Sequence, residues 1–177
     1  MEIIIRGDKI EITKAMKDYV KEKLQRLDKY LENSANIKAT VVVKIKAHQQ
    51  TVEITIPLQN FIIRSEETQS DFYASVDKAI DIIERQIRKN KTKIKAKEAK
   101  TKIDFNILDI EYDTDDVQNN NILKRKSVEI KPMDEEEAIL QLELLNHAFY
   151  LFKNIDTNKE AVVYKRKNGG YGLIEAE

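Results

Sequence analysis

SDFYASVDKAIDIIERQIRKNKTKIKAKEAKTK, residues 70 to 102, is the stretch on which the reading of this chain turns. It reads as one helix with two characters. In its first half Phe72, Val76, Ala79, Ile80, Ile83 and Ile87 recur at helical spacing, which lays an apolar stripe along a single face. Such a face has to pack on something. Ser70 or Asp71 is placed to cap the start. From Arg85 onward the stretch carries Arg85, Arg88, Lys89, Lys91, Lys93, Lys95, Lys97, Lys100 and Lys102 against Glu98 alone, nine positives less one negative, or +8. Cations near a helix C-terminus complement its dipole, but that effect fades within the last turn. Like charges three and four residues apart also work against the helix. The excess therefore points to a polyanion, and phosphate backbones are the commonest one in a cell.

Before this helix the chain supplies what it packs on. Glu2 to Arg6 is a short β-branched strand closed by Gly7-Asp8. Thr13 caps a first helix expected to reach about Glu32, with Met16, Val20, Leu24, Leu27 and Leu31 as its stripe and Tyr19 and Tyr30 widening it. Lys14, Lys17, Lys21, Lys23, Arg26 and Lys29 lie beside or opposite that stripe. Three strands follow. In Ile37–Ala47 the odd positions are apolar, Thr51–Pro57 alternates Val52, Ile54 and Ile56 with Glu53 and Thr55, and Asn60–Glu67 carries Phe61-Ile62-Ile63. Alternation means one buried and one wet face, hence antiparallel strands joined by hairpins at His48-Gln49-Gln50 and Leu58-Gln59-Asn60. The expected N-terminal unit, residues 1–100, is a β-α-β-β-β-α two-layer α+β domain.

After the helix the composition shifts. Residues 101–123 scatter Ile103, Phe105, Ile107 and Ile110 among acids and end in a polar run, which reads as a flexible acidic linker. A second unit, 124–177, begins with a strand at Ser127–Lys131 ended by Pro132. Asp134 caps a helix with Glu135, Glu136 and Glu137 in its first turn and Ile139, Leu142 and Leu145, with Ala138 alongside, as its stripe. Strands at Ala148–Phe152 and Glu160–Lys165 follow, and Asn168-Gly169-Gly170 turns into Tyr171–Ile174. This β-α-β-β-β unit has about fifty residues, and a domain that small seldom supplies more than about 3–5 kcal/mol of stability. Phe149-Tyr150-Leu151-Phe152 and Val162-Val163-Tyr164 are apolar at consecutive positions, so both faces of these strands want cover. One helix covers one face. A second copy of the unit, across a two-fold interface through Phe149, Tyr150, Phe152, Val162 and Tyr164, is expected to cover the other.

Composition bounds the function. Net charge is zero, yet residues 1–100 hold 21 Lys+Arg and 15 Asp+Glu (+6) while the remainder holds 10 and 16 (−6), as expected of two modules with different partners. There is no cysteine, so no disulfide or thiolate chemistry. No apolar run approaches a membrane span and the N-terminus lacks a signal-peptide pattern, which points to the cytoplasm. His48 and His147, the only histidines, sit in different modules and read as structural. No phosphate loop, H-E-x-x-H or G-x-S-x-G motif occurs, and Asp115-Asp116 and Glu135–Glu137 make poor metal sites. An enzyme is not expected, nor a cofactor, a metal or a small-molecule substrate.

Two groups of residues resemble a known family. Asp71-Phe72-Tyr73-Ala74-Ser75-Val76-Asp77 with Glu84-Arg85-Gln86-Ile87-Arg88-Lys89 and Lys91-Thr92-Lys93 is similar to the second helix of the ribosome hibernation promoting factors. Ile130-Lys131-Pro132-Met133, Glu136-Glu137-Ala138, His147-Ala148-Phe149, Val163-Tyr164-Lys165-Arg166-Lys167 and Tyr171-Gly172-Leu173-Ile174-Glu175 resemble the C-terminal module of their long form. The resemblance covers nearly the whole chain apart from the linker. It implies a stress-response protein whose N-terminal domain occupies the decoding channel of the small ribosomal subunit, blocking mRNA and tRNA, and whose C-terminal module dimerises and pairs ribosomes. Carried onto matching positions, it makes Lys23, Arg85, Arg88, Lys89, Lys91 and Lys93 contacts to rRNA phosphates. Two departures stand out: Asn146-His147-Ala148 replaces the family's usual Gly-His-Asp, and Asn168-Gly169 its Asp-Gly. The first puts a polar role at position 148 in doubt. The second suits a type I′ turn equally well.

The residues themselves also allow a general double-stranded-RNA-binding dimer, since basic helices on a small sheet read RNA shape and phosphates. The wet sheet face lacks the aromatics that stack single-stranded bases. A modulator of an alternative sigma factor is the third reading, a role once attached to the same family.

Overall fold

The computed structural model describes residues 1–8, 10–31, 34–46, 48–58, 60–98 and 127–177, with side chains along the long helix as far as Ile94. The expected linker, 101–123, lies outside these residues.

Two β-α-β-β-β units appear in chain order. The first comprises β1 (Glu2–Asp8), α1 (Lys14–Gln25), β2 (Lys38–Lys46), β3 (Gln49–Pro57) and β4 (Ile62–Gln69), followed by α2 (Phe72–Glu98). Its sheet runs β1-β2-β3-β4, with β1 parallel to β2 and the remaining pairs antiparallel. The parallel pair is a consequence of α1, because a helical crossover returns the chain in the same direction. Ala39, Val41, Val43, Val52, Ile54, Ile56 and Ile63 point to the helices and are buried. The alternation expected along residues 37–47 stops at Val43, because Ile45 lies beyond the reach of the helices and is 50% exposed. On α2 the whole expected stripe, Phe72, Val76, Ala79, Ile80, Ile83 and Ile87, is buried. Asp71 is its cap, accepting from the Ala74 N–H at 2.9 Å.

The first helix is shorter than expected. Thr13 caps it, but regular helix ends at Gln25 and a 3₁₀ turn, Asp28–Tyr30, follows. The N–H groups of Leu27 and Tyr30 bond three residues back, to Leu24 and Leu27. The tighter winding keeps Leu27 and Leu31 in the core while the chain bends toward β2.

The second unit comprises β5 (Pro132–Met133), α3 (Glu135–Leu144), β6 (Phe149–Asn154), β7 (Glu160–Lys165) and β8 (Tyr171–Glu175), in sheet order β5-β6-β7-β8. Its first strand was expected at 127–131, ended by Pro132. Instead Pro132 belongs to it. The carbonyls of Lys131 and Met133 accept from the N–H groups of Lys153 and Ile155, so the edge strand pairs through acceptors and needs no donor from proline. A full capping box joins Asp134 and Glu137 at the start of α3. At its end Asn146 takes a left-handed conformation (φ 55°), with His147 N–H bonding Leu142 C=O and Asn146 N–H bonding Glu143 C=O. That is a Schellman motif, and Asn146 fills the position glycine usually takes. In the last hairpin the left-handed residues are Gly169 and Gly170 (φ 86° and 73°), one position later than a type I′ turn at Asn168-Gly169 requires.

The inner face of this sheet is covered by α3. Phe152, Ala161 and Val163 are buried with Ala138 and Leu142, and Tyr150 packs against them. Phe152→Ala should remove about 3–5 kcal/mol, comparable to all that a unit of this size supplies. The expected result is selective unfolding of the second unit, seen as loss of its transition in thermal melts of the full-length chain. A Tm within a few degrees of wild type would contradict this packing.

Candidate nucleic-acid interface and a second exposed surface

The charge layout of the interface is set by how α1 lies against α2. Tyr19 donates its hydroxyl to Asp77 at 3.0 Å, Tyr30 donates to Glu84 at 2.6 Å, and Lys23 pairs with Asp77 at 2.5 Å. Tyr19 and Tyr73 meet edge to face, with ring centroids 4.7 Å apart. Partial burial pushes the Asp77 carboxyl up, but bonds from Lys23 and Tyr19 outweigh it and hold the carboxyl below its usual range. Two of the acids on this flank of α2, Asp77 and Glu84, are thus engaged between the helices, while Asp81 is exposed. The cations remain outside.

Arg85, Arg88, Lys89, Lys91 and Lys93 are all exposed on α2, opposite or beside the stripe that continues through Ile87, Asn90 and Ile94. Arg85 and Lys91 form no ion pair among the described residues, and Arg88 approaches Glu84 only at 4.0 Å. Helical spacing divides the group: Arg88 and Lys91 lie on the flank toward α1, while Lys89 and Lys93 share the opposite flank with Gln86. Lys23 differs from the rest. Its ammonium group ties α1 to α2 through Asp77 and also lies 4.9 Å from the Tyr19 ring of its own helix, so Lys23 is only partly exposed. Lys14, Lys17, Lys21, Arg26 and Lys29 of α1 are exposed too. They extend the cationic surface, and their sequence signal was their position off the Val20–Leu24 stripe.

The five residues expected at a pairing surface do not share one face. Phe152 is fully buried and Tyr150 mostly so, both beneath α3, where burial raises the Tyr150 hydroxyl to about 12. The reason is the two-residue period of a strand, which sends 150 and 152 inward and 149 and 151 outward. The outer face pairs Phe149 with Tyr164, Leu151 with Val162, and Val162 with Ile174. Phe149 is 63% and Ile174 61% exposed. Gly172 lies opposite Tyr164, and a Cβ there would run into the tyrosine ring, so glycine lets the ring lie flat across β8. Leu151 and Ile174 lie on this same outer face, as strand alternation dictates for both.

Helix α3 has a second buried face. Leu140 and Leu144 are buried in the N-terminal core cluster, not with Leu142. Gln141, 2% exposed, accepts from the Ile62 N–H at 3.3 Å and donates to the Ile62 carbonyl at 3.0 Å, closing part of the free edge of β4. The expected stripe of Ile139, Leu142 and Leu145 thus gives way to Ala138 and Leu142 on one side and Leu140 and Leu144 on the other, with Ile139 and Leu145 only partly buried. Each fully buried leucine contributes about 1.5–3 kcal/mol.

His147, at the end of α3, faces Arg64 and Lys165, and its pKa is lowered to about 4, first by burial and then by those two cations. Because the folded value lies below the unfolded 6.5, the unfolded chain takes up the proton first as pH falls. Stability should be full above about pH 6.5 and decline toward pH 4. Urea midpoints measured across this range should slope upward with pH, and His147→Gln should flatten the slope. An unchanged slope in that variant would remove His147 from the account.

The fold and this charge layout define a class: two β-α-β-β-β units in one chain, the first extended by a long cationic helix. Residues 3–95 match the family model described as sigma 54 modulation protein / S30EA ribosomal protein, and 117–173 match the model of its C terminus. The ribosome hibernation promotion factor of Lactococcus lactis subsp. cremoris is 39% identical over 180 residues, covering 98% of this chain and 97% of that one. The Bacillus subtilis ribosome hibernation promotion factor is 38% identical, covering 99% and 98%. Among solved structures, the Thermus thermophilus Protein Y N-terminal domain is 37% identical, with a TM-score of 0.47, over 50% of this chain and 98% of that one. The chain belongs to the ribosome hibernation promotion factor family, in its two-module form. No described helix is long and apolar enough to cross a membrane.

Proposed function

We propose that this protein is a non-enzymatic, cytoplasmic ribosome hibernation factor of the stress response. Its N-terminal domain binds rRNA in the decoding channel of the small subunit and excludes mRNA and tRNA. Its C-terminal module pairs two ribosomes by dimerising, with residues 101–123 as the tether. One observation carries the first part: Asp77 and Glu84 of α2 are engaged by Tyr19, Tyr30 and Lys23, so the exposed Arg85, Arg88, Lys89, Lys91 and Lys93 on the two flanks of α2 outnumber the one exposed acid among its described side chains, Asp81. A surface of that kind binds phosphates through charge and shape rather than base sequence. Lys23 contributes at the rim while bridging the helices. The pairing surface is the outer sheet face, Phe149, Leu151, Val162, Tyr164 and Ile174, with Tyr150 and Phe152 supporting it from beneath.

Expression of the full-length chain in growing cells tests this reading. Sucrose-gradient profiles should show the protein in a ribosome-dimer fraction, with fewer translating ribosomes. A protein that stays at the top of the gradient would defeat the proposal.

A further inference from the structure

We infer that the C-terminal module closes onto the N-terminal domain as an intramolecular clasp that competes with RNA for one flank of α2. The inference rests on the reading of α2 as the RNA-binding helix. Glu143 is the central residue. Its carboxylate accepts from the Lys89 ammonium at 2.8 Å and from the Tyr171 hydroxyl at 2.5 Å, and its backbone carbonyl accepts from the Gln86 side chain at 3.3 Å. Burial pushes the Glu143 carboxyl up, but the bonds from Lys89 and Tyr171 and the charges of Lys89 and Lys93 hold it below its usual range. Glu143 is therefore an anion seated where a phosphate oxygen would sit, on the flank formed by Gln86, Lys89 and Lys93. The flank toward α1, with Arg88 and Lys91, stays open.

Two further contacts hold the clasp shut. Leu140 and Leu144 bury in the N-terminal core cluster, and Gln141 closes both hydrogen-bonding groups of Ile62 on the edge strand. The outer face of the C-terminal sheet lies on the side away from α3, so Phe149, Tyr164 and Ile174 remain exposed in the closed form. Closure and pairing use different surfaces of one small module. Free protein is thus closed, with part of its cationic helix occupied by its own carboxylate. Contact with rRNA, which offers many phosphates to the same lysines, opens it and frees the module on its tether.

Carbodiimide coupling of the full-length protein reads the clasp directly, because it joins only a carboxylate and an amine already in contact. In free wild-type protein a Lys89–Glu143 peptide should be recovered from the monomer band by mass spectrometry. Its yield should fall when saturating small ribosomal subunits are added. Glu143→Lys and, without any change of charge, Gln141→Ala should each raise affinity for the subunits, by about tenfold if roughly one molecule in ten is open beforehand. The crosslink is measured without RNA, so its absence overturns the clasp even where subunits bind normally. A crosslink found only in a dimer band does the same. A crosslink that persists undiminished on saturated subunits, or variants that bind no more tightly than wild type, overturns the competition. Wild type that crosslinks yet binds no subunits refutes the RNA reading, and with it the competition, while upholding the contact.

Discussion

Full-length protein carrying both Arg85→Glu and Arg88→Glu is expected to bind small ribosomal subunits at least about a hundredfold more weakly than wild type. Each charge-assisted contact is worth about 1.5–3 kcal/mol, and two of them lost together reach that factor before repulsion is counted. The fold should be spared, since both residues are exposed and lie off the Val76–Ile87 stripe. Lys89 is left intact because reversing it would also break its bond to Glu143 and open the clasp. Wild-type affinity should itself fall about a thousandfold between about 50 and 200 mM salt if some six phosphates are contacted. The variant should show a shallower salt slope, because it releases fewer counterions. Filter binding across a salt series reads both quantities. Wild-type binding that ignores salt would sink the electrostatic account.

The second large effect concerns pairing. Val162→Asp should convert a dimer to a monomer at micromolar concentration while leaving ribosome binding in place. Val162 lies between Leu151 and Ile174 in register, at the middle of the outer face. A carboxylate there meets an apolar partner surface with nothing to pair it, and loss of a central anchor alone costs about 2 kcal/mol or more, at least a twentyfold change in Kd. Phe152→Ala is the contrasting case: it should abolish pairing only by unfolding the module, which melts distinguish. Analytical ultracentrifugation of the full-length chain, beside gradient profiles of cells expressing the variant, measures the outcome. A wild-type chain that remains monomeric at tens of micromolar, or a Val162→Asp chain that still dimerises, would refute the surface proposed.

Much of this architecture was legible in the chain because it rests on local periodicity. Period two along 37–57 marked strands with one buried face, and the stripe Phe72 to Ile87 marked α2; every residue of that stripe is buried. The cap at Asp134 was equally plain, and so was the existence of the last hairpin, since capping and turns depend on residues a few positions apart. The hairpin's left-handed pair nonetheless falls at Gly169-Gly170, one position after the expected Asn168-Gly169. The cationic half of α2 was visible as charge. Its availability was not, because that depends on which acids α1 absorbs.

Sequence alone therefore determined the two α+β units, their order, and the helix that carries the positive charge. Tertiary structure decided where those elements face. Tyr150, Phe152, Leu151 and Val162 are all simply apolar as letters, and only the position of α3 over one side of the sheet separates core from surface. In the same way, Leu140, Gln141 and Glu143 carry no local signal of their destination. Their partners Ile62, Gln86 and Lys89 are more than fifty residues away, and contacts over that distance are chosen by how two folded surfaces fit, not by any pattern along the chain.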